Sequence, residues 1–227
     1  TTHKLVDVVR DRKSYSLKRY FHRFEPKTRL MVKTISIDMY LPYIQLIKEM
    51  FPNAKIIIDP FHIVQALNRE LNRTRVRVMN KHRYKDPKLY RKLKHYWKLI
   101  LKNPNELQNY KYNRYKLFES FITSKGIVDY ILENNPSLKN DYEVVHSLRE
   151  CIQARDYIEF KETIEAATQL DLSPGLKRVL KTLITYLPYI QNTCEHPTRT
   201  NGPIEGINNK IKVLKRNAYG FRNYYHF

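Results

Sequence analysis

The spacing of apolar positions changes along the chain, and the change divides it. Residues 4–9, Lys-Leu-Val-Asp-Val-Val, read as a short strand. Residues 14–24 put Leu17, Tyr20, Phe21 and Phe24 on one helix face, with Ser14 or Ser16 as the cap. Residues 32–37 alternate and are rich in β-branched side chains, which predicts a strand with Asp38 directly after it. Leu41, Ile44, Ile47 and Met50 return to helical spacing, and Phe51-Pro52-Asn53 ends that helix. Residues 55–58, Lys-Ile-Ile-Ile, form a second strand ending at Asp59. Strand, helix, strand with short links predicts two parallel neighbours in one sheet.

From about 63 to 190 the pattern is almost wholly helical. Asp86-Pro87 and Ser173-Pro174 each read as an N-cap with proline at the first helical position. Asn103-Pro104-Asn105-Glu106 adds an acid at the third position, and Pro136 marks a further break. Gly126 and Gly175 fall in this stretch, while Gly202, Gly206 and Gly220 cluster near the end. Residues 192–203 read as loop, and 204–215 as a basic helix. The map is α/β, then all-α, then a loop and a last helix. It fits either a helical block inserted into an α/β domain or two separate domains.

Charge narrows the partners. The chain has 227 residues, 42 Lys and Arg against 22 Asp and Glu, and a formal net charge of +20. Nucleic acid is the leading partner, because clustered cations release counterions from phosphates. An anionic membrane surface comes second, although no apolar run is long enough to span a bilayer. Tyrosines interleave with the cations, as in Lys111-Tyr112-Asn113-Arg114-Tyr115-Lys116. That pattern suits phosphate and base contacts. It equally suits a basic helix face over a Tyr-rich core, the preferred reading for this segment. Cys151 and Cys194 form no CxxC pair, so a zinc ribbon is not indicated and a reducing cytoplasm is the default. Cys194 and His196 lack a second ligand pair, and their proximity reads as chance. The missing initiator Met is read as the mark of a fragment.

Three acids stand where chemistry gathers. Asp38 follows a strand, at the end of a sheet where α/β sites form, and can hold a hard cation such as Mg²⁺ or cap the next helix. Asp59 and His62, in Asp59-Pro60-Phe61-His62, could ligate a metal. Asp59 before Pro60 also fits an N-cap, so a site-shaping role is preferred for both. Glu205 is the lone acid of a basic stretch holding Lys210, Lys212, Lys215 and Arg216. An acid there opposes phosphate binding unless it holds a metal. It also suits a helix amino terminus.

Ile35 to Tyr43, Ile57 to Val64, and Asn201 to Lys210 with Leu214 to Gly220 together resemble the ISL3-type insertion-sequence transposases, a DDE family. The resemblance runs over nearly the whole chain, with 83–196 the least distinctive part. It implies a partial ribonuclease-H-like catalytic core interrupted by a large all-α insertion: residues 1–82, then 83–196, then 197–227 as the end of the core. It implies Asp38 as second and Glu205 as third acid of a metal-holding triad, with Asp59 and His62 in an accompanying Asp-x-x-His signature. The first acid of the family lies upstream of the segment matched by 4–12, so the chain is expected to lack it; Asp7 and Asp11 are not promoted. Two Mg²⁺ or Mn²⁺ ions, DNA ends and target as partners, a homodimer or larger assembly on DNA, and a bacterial cytoplasmic, nucleoid-associated location follow as implications. Lys210, Lys212, Lys215 and Arg216 are expected on the DNA backbone. The alternatives are a non-enzymatic basic nucleic-acid-binding domain and a ribonuclease-H-like nuclease such as a junction resolvase.

Overall fold

A computed structural model describes residues 7–198 and 201–218. In chain order its elements are α1 (Ser14–Phe21), α2 (Pro26–Leu30), β1 (Thr34–Ile37), α3 (Leu41–Met50), β2 (Lys55–Ile58), α4 (Pro60–Lys81), α5 (Pro87–His95), α6 (Trp97–Leu101), α7 (Ser124–Glu133), α8 (Pro136–Ala154), α9 (Tyr157–Ala167), α10 (Pro174–Glu195) and α11 (Gly202–Asn217). The result is mixed α/β and mostly helical. Two compact units share these elements. One takes the described residues up to Pro60 and from Tyr189 onward, and the other takes Phe61–Pro188. No helix among the described residues is long and apolar enough to cross a membrane.

In the first unit β1 and β2 pair in parallel, from Thr34 opposite Lys55 to Ile37 opposite Ile58. The pairing extends one step further, where the Asp59 N–H donates to the Ile37 carbonyl at 3.0 Å. Both strands therefore end level. Ile56, Ile57 and Ile58 are buried on alternating faces of β2, and Ile44, Leu46, Ile47 and Met50 of α3 are buried as well. The far edge of β2 is met by side chains from the end of α10. The Ile58 N–H donates to Thr193 Oγ1 at 3.0 Å, and Asn192 Nδ2 donates to the Ile56 carbonyl at 2.9 Å. These bonds occupy an edge that would otherwise invite pairing with another chain.

Three details differ from the pattern reading. Residues 7–9 are not a strand, and residues 4–6 lie outside the described residues. The cap of α1 is Lys13, without a side-chain hydrogen bond; Ser16 instead donates to Asp11 at 3.0 Å. The helix also stops at Phe21, where that ring packs edge-on against Phe51 at 4.9 Å.

The helical unit keeps the caps expected of it. Asp86 Oδ1 accepts from the Lys88 and Leu89 N–H groups, and Ser173 Oγ accepts from the Leu176 N–H. At its centre Asp141, fully buried, accepts from Thr74 Oγ1 at 2.7 Å and from the Ser173 N–H at 2.9 Å. This node ties α4, α8 and the start of α10 together. Asn103 also caps, its side chain accepting from the Asn105 N–H at 3.0 Å ahead of Glu106, although the turn it opens is only 3₁₀. One expectation fails here: the Lys111 to Lys116 run is not a helix. Its backbone forms an antiparallel bridge between Asn113 and Ile122, with bonds of 3.0 and 3.1 Å. Leu117 lies at φ 70, which a right-handed helix does not allow.

Candidate active site

Because β1 and β2 end level, the residues that follow them, Asp38 and Asp59, emerge side by side. Their environments differ. Asp38 is exposed, whereas Asp59 is 3% exposed and precedes the first residue of α4. Asn201, just before α11, reaches both. Its backbone N–H donates to Asp59 Oδ2 at 2.7 Å, and its side-chain Nδ2 donates to Asp38 Oδ1 at 3.0 Å. One residue thus fixes the start of α11 against the ends of both strands.

That attachment sets a cleft of about 590 Å³ lined by Arg12, Ser36, Asp38, Tyr43, Asn201, Glu205, Asn208 and Lys212, among others. Residues 201, 204, 205, 208 and 212 line it at helical spacing, so one face of α11 forms a wall. Glu205, exposed in the first turn of α11, lines the same cleft as Asp38. Arg12 and Lys212 place two cations beside the two acids. Lys210, Lys215 and Arg216 are exposed further along or around α11. His62 falls in the helical unit, on the first turn of α4, with its ring edge-on to Phe61 at 5.5 Å.

Sequence reasoning singled out Asp38 and Glu205 and missed Asn201, Arg12 and Asn208. Asn208 carried a signal, being three residues beyond Glu205 on a helix. Asn201 carried none, because its partners are remote in sequence.

A sequence model of ISL3-type transposases, described as "Transposase", matches residues 1–227. The chain belongs to the ISL3-type transposase family. It is 30% identical over 215 residues to the transposase for insertion sequence element IS1001 of Bordetella parapertussis, covering 92% of this chain and 48% of that protein. It is also 36% identical over 124 residues to a protein of Lactococcus lactis subsp. lactis named "ATP-dependent protease", covering 55% of this chain and 38% of that one. The chain spans less than half the length of either relative. No solved structure matches it.

For an ISL3-type transposase the donor set of the cleft is informative. Mg²⁺ takes oxygen ligands, often one or two carboxylates, and completes its shell with water and substrate phosphate. Asp38 and Glu205 are the two carboxylates that line the cleft. Among the described residues no group of three or more His, Cys, Asp or Glu could hold a metal.

Proposed function

We propose that this chain carries part of the catalytic machinery of a DNA transposase, which cleaves and transfers strands at insertion-sequence ends with Mg²⁺ or Mn²⁺. The observation that carries the reading is the shared cleft: Asp38 and Glu205, far apart in sequence, both line it. In a chain with nearly twice as many bases as acids, two acids meeting in one cleft favour a cation site over plain phosphate binding.

In this reading Asp38 and Glu205 hold the cation. Asn201 holds the Asp38 carboxylate in a fixed orientation, and the first turn of α11 holds Glu205. Arg12 and Lys212 neutralise phosphate oxygens entering the cleft, while Lys210, Lys215 and Arg216 contact the backbone further along the DNA, giving affinity without sequence readout. Buried Asp59 shapes the site through the Asn201 N–H. A divalent cation bound there supplies Lewis acidity toward phosphoryl oxygens. The first acid of the set is assigned to no residue of this chain.

The same reading makes the strands and α11 parts of a ribonuclease-H-like core, with 83–196 as a helical insertion. It expects a dimer or larger assembly, because transposition joins two ends. The test is Glu205→Gln in the full-length transposase containing this chain. Cleavage of a duplex carrying the element end should fall to background while duplex binding, read by anisotropy, is unchanged. Cleavage at the parent rate removes Glu205 from the mechanism and leaves the basic DNA-binding reading in its place.

A further inference from the structure

The Lys111 to Lys116 segment is not helical, so a basic helix face over a Tyr-rich core does not account for it. Within the helical unit, residues 108–122 form a built loop. Its two ends are joined by the Gln108 N–H donating to Ser124 Oγ at 2.8 Å and the Lys125 N–H donating to the Gln108 carbonyl at 3.1 Å. Its middle is tied by the Asn113 to Ile122 bridge. Tyr115 and Phe118 face inward. Tyr96 packs against both rings and donates its hydroxyl to the Lys116 carbonyl. The Lys92 ammonium sits over the rings of Phe118 and Tyr130, at 4.4 and 4.1 Å from their centroids.

That packing accounts for the inward aromatics and leaves three others outside it. Tyr110, Tyr112 and Phe121 are 77%, 65% and 67% exposed, and among the described residues their side chains make no ring contact or hydrogen bond. Lys111, Arg114 and Lys116 between them are exposed and have no acidic partner among the described residues; Glu119 is the one acid of the loop. The surrounding stretch 81–122 holds twelve Lys and Arg against three Asp and Glu. Holding three aromatic rings in water on a constrained backbone, among unpaired cations, is the arrangement that stacks bases and neutralises phosphates. Duplex DNA hides its base faces, so the ligand that matches is a single strand.

We propose that the loop 108–122 binds single-stranded DNA, with Tyr110, Tyr112 and Phe121 stacking on bases and Lys111, Arg114 and Lys116 contacting phosphates. The proposal rests on the helical unit alone and is read without cleavage, so it stands or falls separately from the Glu205 test.

The probes are a fluorescein-labelled oligo-dT strand, an oligo-rU strand and a random-sequence duplex, all of one length, titrated with this chain at several salt concentrations. Replacing Tyr110, Tyr112 and Phe121 together by Ser should weaken oligo-dT binding by at least about 30-fold. Duplex affinity and the salt slope should stay as they were. Replacing Lys111, Arg114 and Lys116 by Gln should lower the single-strand salt slope by about 2. Tyr110→Phe with Tyr112→Phe keeps the stacking surfaces and should bind like the parent. The proposal is overturned by an unchanged oligo-dT affinity in the Ser variant, by an equal loss on duplex, or by weak binding in the Phe variant. Tighter binding of oligo-rU than oligo-dT overturns the assignment to DNA.

Discussion

Asn201 turns both of its donors toward acids, one backbone and one side chain, and the two bonds differ in consequence. Asn201→Ala keeps the N–H that holds buried Asp59 and loses only the contact with exposed Asp38. Its effect on folding should therefore be small, within about 1 kcal/mol by urea titration. Cleavage by the full-length transposase should fall further than stability does, because Asp38 loses its orientation. A cleavage loss no larger than the loss of folded protein would make Asn201 a structural tether and nothing more. Asp38 and Glu205 could be picked out in the sequence because each is locally anomalous: one follows a strand directly, the other is a lone acid among bases. Asn201 before Gly202 and Pro203 looks like any turn residue, since the acids it joins enter the local picture only through folding.

At the scale of elements, the helices whose boundaries carry chemistry were the legible ones. Asp86-Pro87 and Ser173-Pro174 mark starts because a side-chain oxygen and a proline both suit the unbonded first turn. Ser173 does more than cap, since its own N–H is held by Asp141. Asp141→Ala would leave that N–H buried without its acceptor, while the Thr74 hydroxyl keeps Ser173 Oγ at 3.0 Å. The expected loss is roughly 3 kcal/mol in urea unfolding, with Asp141→Asn losing less because it retains an acceptor. An Ala variant as stable as the parent would mean the node relaxes or admits water. The aromatic run at 111–116 was misread for a corresponding reason. Tyr and Lys spacing satisfied a helical pattern, but Tyr96 and Lys92, from another element, draw Tyr115 and Phe118 into a loop whose Leu117 is left-handed.

For the molecule as a whole, charge and pH act together. A net charge of +20 repels itself in the compact state, and acidification adds to it. His146 makes the helical unit a further source of acid sensitivity. Its Nε2 donates to the Ile100 carbonyl at 3.0 Å, Arg149 lies 3.1 Å from its Nδ1, and burial pushes its pKa down to about 4 from the usual 6.5. Between those two values the unfolded chain holds a proton that the folded one does not. Stability is therefore lost as pH falls through that window, by up to roughly 3 kcal/mol. His146→Gln removes the titration, so unfolding measured from pH 7 down to pH 4 should fall less steeply for the variant than for the parent. Parallel curves would show that His146 takes up its proton in the fold without cost.

The sequence by itself determined the parallel strand pair, the long helical stretch, the basic character and the two acids of the cleft. Each depends on neighbours a few residues away or on a sum over the chain, and both survive in one dimension. Tertiary structure alone decided that α11 returns to the strand ends through Asn201, that Asn192 and Thr193 close the edge of β2, and that residues 108–122 are a loop with three aromatics turned outward. Those outcomes rest on hydrogen bonds and ring contacts between residues distant in sequence. Local spacing carries no record of such partners, because the bonds form only when packing brings the two ends together.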